Sequence, residues 1–169
     1  EVIIIPSSYD GLPVTGVKAL YPDMSWGVDM EIYYAESQIK TVYIPPSVKY
    51  IGDFSTNYNL ESVYISSGVE QIQERTFLNC DNLKNIYVSL SNKNYKVKDA
   101  VLYTKDGSKL IKYCAQNTAI SFEISDGVKY ILSDAFSNSQ YLKSITLPSS
   151  LVYIESSAFS GCSALEAIE

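Results

Sequence analysis

The sequence predicts a β-rich solenoid in which short repeats stack on one another, and three observations support this prediction. Apolar residues recur every 23 residues, as from Leu142 to Leu165. Each repeat contains a short run in which apolar and polar residues alternate, the pattern of a strand with one buried face. The chain holds 15 tyrosines among 169 residues, and tyrosine favours strands. One repeat cannot cover its own apolar side, whereas stacked copies cover each other.

The segment 142–165 shows the elements of one repeat. Residues 145–147 alternate apolar and polar side chains and predict a strand. Pro148 ends this strand, because proline lacks the N–H that a strand ladder needs. A second brief strand or extended bend is expected at Ile154. The residues that follow are small except for Phe159, and they predict a single helical or 3₁₀ turn that points this ring into the core.

Copies of this repeat run from one end of the chain to the other with two interruptions. Residues 1–20 match it with a small insertion, and residues 39–88 and 119–169 hold the other copies. The first interruption, 21–38, contains Trp26 and predicts a diverged helical or loop segment. We interpret it either as a cap over the open end of the first repeat or as a lateral binding loop, since the ends of a solenoid need covering.

The second interruption, 89–118, predicts a β-hairpin insert. Two alternating runs, 100–104 and 109–113, flank an Asp-Gly pair, which is a strong hairpin signal in that setting. With both interruptions included, residues 1–169 are predicted to form one solenoid domain. The chain begins inside an apolar run, which indicates a piece of a longer protein.

Charge and hydropathy exclude several classes of partner. The formal net charge is −6, so the chain lacks the excess of basic residues that binding to nucleic acid or to an anionic membrane needs. No apolar run approaches the roughly 20 residues of a membrane-spanning helix. The sequence therefore predicts no nucleic-acid partner and no insertion of this chain into a membrane.

The residue types also offer little for catalysis, metal binding or disulfides. The chain has no histidine, the usual base for a serine or cysteine nucleophile, and its carboxylates lack a glycosidase spacing. We therefore predict no enzyme activity, no metal site and no cofactor. The odd count of three cysteines argues against a disulfide framework. Cys80 and Cys162 are expected to be buried thiols, and Cys114, on the hairpin, is the one that could be exposed.

The repeat pattern L-x-x-[IV]-x-[IL]-[PS]-x-x-[VL]-x-x-I…A-F-x-x-C-x-x-L resembles that of the BspA-type leucine-rich repeat. The insert motif N-x-x-Y…D-x-V-L-Y-x-K-D-G-x-x-L-I-x-Y, from Asn92 to Tyr113, is similar to one found in the same family. The resemblance implies a right-handed leucine-rich-repeat solenoid of about six repeats. It also implies a bacterial or protist protein that is secreted or on the cell surface, since family members are discussed as adhesins. Ser139 and Cys114 depart from the pattern, residues 21–38 do not fit it, and no functional residue is carried over.

One outward position in the first strand of each repeat carries the main functional signal. From one repeat to the next the residues there are Tyr43, Tyr64, Tyr87, Glu123, Thr146 and Glu169. Because neighbouring strands are about 4.8 Å apart, the tyrosines predict a contiguous aromatic stripe. Such a stripe suits glycan rings or apolar protein side chains, or it only stabilises the sheet through cross-strand contacts. A second set of tyrosines should lie outward on another face: Tyr50, Tyr130 and Tyr153.

These observations predict a non-enzymatic interaction module of a cell-surface or secreted protein. The expected partner is a host or neighbouring-cell protein, or a glycan. The predicted contact surface is the first-strand face, which comprises Tyr43, Tyr64 and Tyr87 with Glu61, Glu123, Lys143 and Thr146 around them. The alternative is a structural spacer, in which the repeats only extend or rigidify a larger surface protein.

Overall fold

Short strands and turns alternate along the chain, and most repeats contribute one strand to each of two faces. The structure, a computed structural model, describes residues 2–9, 12–13, 16–19, 29–32, 39–52, 54–55 and 57–169. Within these ranges the strands, in chain order, are β1 Val2–Ile4, β2 Ser8–Tyr9, β3 Leu12–Pro13, β4 Gly16–Ala19, β5 Asp29–Ile32, β6 Thr41–Ile44, β7 Tyr50–Ile51, β8 Ser62–Ile65, β9 Gln71–Ile72, β10 Asn85–Val88, β11 Tyr95–Lys98, β12 Val101–Thr104, β13 Lys109–Tyr113, β14 Ser121–Glu123, β15 Tyr130–Ile131, β16 Ser144–Thr146, β17 Tyr153–Ile154 and β18 Ala167–Ile168.

The first face of the solenoid is formed by the first strand of each repeat. Four of these strands pair in parallel in the order β1-β6-β8-β10, and β14-β16-β18 form a second parallel sheet after the insert. Equivalent residues lie opposite each other, as Val63 does with Val42 on one side and Ile86 on the other. The side chains of Val42 and Val63 are fully buried, as their alternating pattern predicts. The predicted β-rich solenoid is confirmed.

The second face is formed by the shorter second strands. On one side of the insert the parallel order is β5-β4-β7-β9, and on the other side the order is β11-β12-β13-β15-β17. The register again joins equivalent residues, with Tyr50 opposite Gln71 and Tyr130 opposite Tyr153. The second face therefore consists of two sheets that meet at the insert.

The insert contains the predicted hairpin and one further strand. Strands β12 and β13 pair antiparallel, and Gly107 in the turn between them has φ of 82°, a left-handed conformation that glycine adopts readily. Strand β11 pairs antiparallel with the other edge of β12, and β13 pairs in parallel with β15. The last strand of the insert thus joins the second face, whereas β10 and β14 of the first face are not paired.

Two apolar cores meet at the insert. Leu102 and Cys114 pack into the core of the preceding repeats, whereas Val101 and Tyr113 pack into the core of the repeats that follow. Because neighbouring residues of a strand point to opposite faces, the insert contributes to both cores at once. It is therefore an integral part of the solenoid.

The turn after the second strand differs from its prediction. No helix or 3₁₀ segment occurs in the described residues, and this region consists of hydrogen-bonded turns instead. The reason is a pair of left-handed residues four positions apart in three of the repeats, since a residue with positive φ interrupts a right-handed helix. These residues are Arg75 and Asn79, Asp134 and Asn138, and Ser157 and Gly161.

The first interruption, 21–38, is partly described. Residues 29–32 form strand β5, which pairs in parallel with β4, so a helix or loop is the wrong interpretation for these four residues. Trp26 and the other residues of this segment lie outside the described ranges. The strand lies at the end of its sheet, which is compatible with a cap, and the cap stays a prediction.

The cysteines correct one further expectation. Cys114 is fully buried, and burial raises the pKa of its thiol to about 12. It is not the exposed cysteine, because β13 ends by turning into the core between the two halves of the solenoid. Cys80 is buried, as predicted, and Cys162 is partly buried. Each thiol donates to a backbone carbonyl oxygen of the preceding repeat. Cys80 donates to Phe54, and Cys162 donates to Phe136.

Candidate functional site

Three tyrosines form the predicted stripe on the first face. Tyr43 lies opposite Tyr64, and Tyr64 lies opposite Tyr87. The ring centroids are 4.3 Å and 4.5 Å apart, and the ring planes differ by 14° and 15°. Tyr43 and Tyr87 are exposed, and Tyr64 between them is half-buried. Ile4, opposite Tyr43 and 73% exposed, extends this tyrosine stripe by one apolar residue.

The stacking decides which parts of the rings are open to a ligand. Tyr64 has both of its faces covered by its neighbours, so it presents its edge and its hydroxyl group. The far face of the Tyr87 ring stays open, because no other ring of the described chain stacks on it. Desolvation raises the pKa of Tyr64, and the neighbouring hydroxyl groups of Tyr43 and Tyr87 raise it further. The stripe therefore presents mainly ring edges and hydroxyl groups.

Glu61 lies just before β8 and joins three repeats. One carboxylate oxygen lies 2.9 Å from the ammonium of Lys40, and the other lies 2.9 Å from that of Lys84. The hydrogen bonds from Lys84 and Lys40 lower the pKa of Glu61 to about 2. Both carboxylate oxygens are thus occupied within the chain, and a ligand cation at Glu61 would compete with two lysines.

The other predicted site residues lie on the separate sheet after the insert. Glu123 and Thr146 are exposed and lie opposite each other on β14 and β16. Lys143 precedes β16, and its ammonium lies 3.7 Å from the carboxylate of Glu166. Because β14 does not pair with β10, the predicted row does not continue from Tyr87 to Glu123 through strand pairing. The candidate residues therefore fall into two groups rather than one.

The second set of tyrosines is also divided by the insert. Tyr130 and Tyr153 lie opposite each other and are exposed, and the ammonium of Lys109 lies 5.9 Å from the centre of the Tyr130 ring. Tyr50 lies on the other sheet of the second face and donates its hydroxyl hydrogen to the side chain of Gln73 at 2.8 Å. The structure thus brings two of these three tyrosines together.

A groove beside the insert was not predicted from the sequence. It has a volume of about 460 Å³ and is lined by residues 71–78, by insert side chains and by residues 132–134. Lys112 lines it although its side chain is almost fully buried. The repeat pattern contains no signal for this groove, because it is formed by the way in which the insert packs between two repeats.

Lys112 is held by neutral groups. Its ammonium donates to the backbone carbonyl oxygen of Asp134 and to the hydroxyl oxygen of Ser137, both at 2.9 Å. Burial lowers the pKa of Lys112, and nearby acidic groups such as Cys80 and Asp134 oppose this shift.

The register of β12 and β13 shifts between Leu102 and Tyr103, an irregularity that simple strand alternation does not predict.

Neither a metal site nor a membrane-spanning helix occurs among the described residues. Across the described residues, no cluster of three or more cysteine, aspartate or glutamate side chains is arranged to bind a metal ion. Within the same residues, no helix is long and apolar enough to cross a membrane.

Comparison with protein families explains the repeat. The model of the BspA type leucine rich repeat region matches residues 28–106 and 107–169, with six copies. The chain belongs to the BspA-type leucine-rich repeat family. This BspA-type chain has no match in a comparison with curated proteins.

Solved structures are similar to this BspA-type chain over most of its length. They include the pneumococcal vaccine antigen PcpA (22% identity, TM-score 0.74) and a leucine-rich cell surface protein from Faecalibacterium prausnitzii (29% identity, TM-score 0.72). The alignments cover 95% and 93% of this chain but only 44% and 41% of those chains. A leucine-rich repeat protein from Eubacterium ventriosum has 21% identity and a TM-score of 0.60, with 78% of this chain and 54% of that chain covered. The chain thus spans about half the length of the proteins it resembles.

Proposed function

We propose that this chain is a non-enzymatic interaction module of a cell-surface or secreted protein, and that it binds a partner protein through the tyrosine stripe. The family supports the general role, because leucine-rich repeats are generally interaction modules without enzyme activity. Two similar structures, a leucine-rich cell surface protein and a vaccine antigen, support a surface or extracellular location. The observation that carries the proposal is the stacked row of Tyr43, Tyr64 and Tyr87, in which the two outer tyrosines are exposed.

The geometry of the stripe favours a protein ligand over a glycan. A sugar ring usually packs against an open aromatic face, and stacking leaves such a face at the end of the row, on Tyr87. The exposed ring edges and hydroxyl groups instead form an amphipathic surface, which suits apolar side chains and hydrogen-bonding groups of a protein. Ile4 adds apolar area at the other end of the stripe.

The test is a triple variant, Tyr43→Ser, Tyr64→Ser and Tyr87→Ser, on panels of immobilised extracellular-matrix proteins and glycans. A ligand bound by the native chain should lose about tenfold or more in affinity, because aromatic contacts dominate many interfaces. The matched control replaces three exposed tyrosines outside the stripe, Tyr58, Tyr141 and Tyr153, by serine. Circular dichroism should show that both variants keep the strand content of the native chain.

A structural spacer is the second candidate function, and the same stacking supports it. Cross-strand tyrosine pairs stabilise a sheet by roughly 0.2–1 kcal/mol each, so the row could serve stability alone. Full binding by the stripe variant would show that the stripe is structural. An equal loss of affinity in the control variant would show that the stripe is not the contact surface. The spacer is favoured if the native chain binds nothing in either panel.

A further inference from the structure

No disulfide joins the repeats of this chain. The described residues include all three cysteines, and each of them is a free thiol. Burial raises the pKa of the Cys114 thiol and that of the Cys162 thiol. Because oxidants attack the thiolate, these two cysteines are poor sites for an oxidative link. A covalent link between repeats would therefore have to involve another oxidisable residue type, and tyrosine is the abundant one.

The tyrosine stripe has the geometry for such a link. The ring centroids of Tyr43 and Tyr64 are 4.3 Å apart, those of Tyr64 and Tyr87 are 4.5 Å apart, and the planes of each pair are nearly parallel. Since these residues are equivalent and lie opposite each other in register, equivalent ring carbons are separated by nearly the same distances. The carbons beside the phenol oxygens of adjacent repeats are therefore neighbours. Tyr43 and Tyr87 are exposed, so their side chains have room to rotate towards Tyr64.

The other tyrosines of the described chain lack this arrangement. Two ring contacts join tyrosine to tyrosine among the described residues, and both involve Tyr64. The rings in contact with Tyr113 are those of phenylalanines, which have no phenol group to oxidise. Tyr130 and Tyr153 lie opposite each other on paired strands of the second face, yet their rings are not in contact. Pairing of strands alone thus does not produce a stacked pair.

We propose that the tyrosine stripe is an oxidative crosslinking site, at which Tyr64 forms a dityrosine bond with Tyr43 or Tyr87 and thereby joins adjacent repeats covalently. The oxidant is hydrogen peroxide used by a haem peroxidase, a class of enzyme that removes electrons from exposed phenols. An oxidised outer ring can take an electron from Tyr64 through the stacked contact, so both partners become radicals. Stacking then replaces the encounter of two separate radicals by a reaction within one chain.

The reaction is balanced by one molecule of peroxide for each crosslink. Each of the two phenols loses one electron and its hydroxyl proton, which gives two phenoxyl radicals. The radicals couple through the ring carbons beside their oxygens, and one C–C bond forms. The hydrogen on each coupled carbon then moves to the phenol oxygen, which restores both aromatic rings. The peroxide takes up the two electrons and two protons, its O–O bond breaks, and two water molecules form.

The crosslinking site goes beyond the partner binding proposed above and does not rest on it, because the reaction needs no ligand. A bond between Tyr43 and Tyr64 would join β6 to β8, and one between Tyr64 and Tyr87 would join β8 to β10. Either bond closes a loop in the unfolded chain and so lowers the entropy of that state. The crosslinked chain should therefore resist unfolding more strongly than the native chain.

The experiment treats the native chain, in dilute solution, with hydrogen peroxide and a plant peroxidase. The monomer is then isolated by gel filtration, and its dityrosine fluorescence is measured. Because lysine or arginine lies between the three tyrosines, trypsin places each of them on a different peptide. Mass spectrometry should find the peptide of Tyr64 joined to that of Tyr43 or Tyr87, with the mass of two hydrogen atoms missing. The crosslinked monomer should unfold at a temperature about 5 °C higher than the untreated chain.

Phenylalanine variants test the central position of Tyr64, because they keep the stacked ring and remove the phenol. Tyr64→Phe should lower the dityrosine yield of the monomer about tenfold or more, since it leaves no stacked pair of phenols. Tyr43→Phe and Tyr87→Phe should each keep a substantial yield, because each leaves one stacked pair. Tyr153→Phe is the matched control, which removes a tyrosine that lies opposite another without ring contact, and it should change little.

Several outcomes would overturn the proposal. Absence of dityrosine from the treated monomer is one, and a yield from Tyr64→Phe equal to the native yield is another. A main crosslink between Tyr130 and Tyr153, or an unfolding temperature that does not rise, would also contradict it. Partner binding is measured without oxidant and crosslinking without a partner, so failure of one proposal is distinguishable from failure of the other.

Discussion

The ring of Tyr113 stacks on the ring of Phe136, with the centroids 5.2 Å apart and the planes at 27°. Phe136 stacks in turn on Phe159 at 5.1 Å. In the regular repeats this inward position is held by phenylalanine, as at Phe77. The insert thus supplies, from a different strand and a different sequence motif, the aromatic ring that its own repeat lacks.

The hydroxyl group of Tyr113 gives the first prediction. It is buried, and no described group forms a hydrogen bond with it. Tyr113→Phe should therefore leave the free energy of unfolding unchanged or raise it by up to about 1 kcal/mol. Tyr113→Ala should lower it by about 3–5 kcal/mol, because it leaves a cavity beside the rings of Phe122 and Phe136. Urea unfolding followed by circular dichroism measures both, and a loss of stability in the phenylalanine variant would show that the hydroxyl group has a partner.

Glu61 gives a prediction on pH dependence. Its pKa in the folded chain is lowered to about 2 by Lys84 and Lys40. A lowered carboxyl pKa means that the ion pairs contribute fully above the ordinary value of 4.5 and are lost as pH falls from there to about 2. Nuclear magnetic resonance titration of the Glu61 carboxyl should show this low midpoint, which should rise in 1 M salt because the pairs are exposed. Lys40→Met should also raise it, and an unchanged midpoint in that variant would contradict the double pairing.

Much of the fold could be predicted from the sequence, because repetition multiplies a weak signal. Single alternating runs of three or four residues are ambiguous, but the spacing from Leu60 to Leu83 fixes strand, turn and core positions together. The tyrosine stripe followed directly, since outward positions of parallel strands in register must be neighbours. The hairpin was predictable for a different reason, the Asp-Gly turn between two alternating runs.

The features that could not be predicted from the sequence depend on long-range packing. Nothing local in the sequence shows that β13 joins the second face, so the break between Tyr87 and Glu123, the groove and the burial of Cys114 could not be predicted. The left-handed residues of the turns were not predicted, although the sequence holds a signal for them. Asn79, Asn138 and Gly161 are the residue types that adopt this conformation most readily, and their shared spacing was a usable signal.

Lys112 also gives a prediction on pH dependence, in which stability again rises with pH but does so towards 10.5 rather than between about 2 and 4.5. Burial lowers its pKa below the ordinary value of 10.5, so the unfolded chain binds its proton more tightly than the folded chain does. The cost of the buried charge is therefore present below the folded pKa and is relieved as pH rises towards 10.5. The stability of the native chain relative to Lys112→Met should rise with pH over that interval.

Lys112→Met should lower the free energy of unfolding at neutral pH by less than about 2 kcal/mol, or raise it. The reason is that methionine fills a similar volume without a buried charge. Asp134 would keep a donor to its carbonyl oxygen, since the hydroxyl group of Ser137 also bonds to it at 2.9 Å. Lys112→Ala, which leaves a cavity, should be the less stable of the two variants. Unfolding at several pH values measures these differences, and a pH-independent difference between native and methionine chains would contradict the shift.

Gly68 gives the last prediction, which concerns the close approach of successive repeats. A Cβ atom at this position would overlap the backbone carbonyl oxygen of Pro46, which cannot move without shifting the neighbouring turn. Gly68→Ala should therefore lower the free energy of unfolding by about 1–3 kcal/mol. Gly127 is the matched control, because it lies in the corresponding turn of a later repeat with a φ of 93° and no atom within 4 Å of its Cβ position. Gly127→Asn should have the smaller effect, since asparagine tolerates positive φ. A loss in Gly68→Ala no larger than that in Gly127→Asn would contradict the close contact with Pro46.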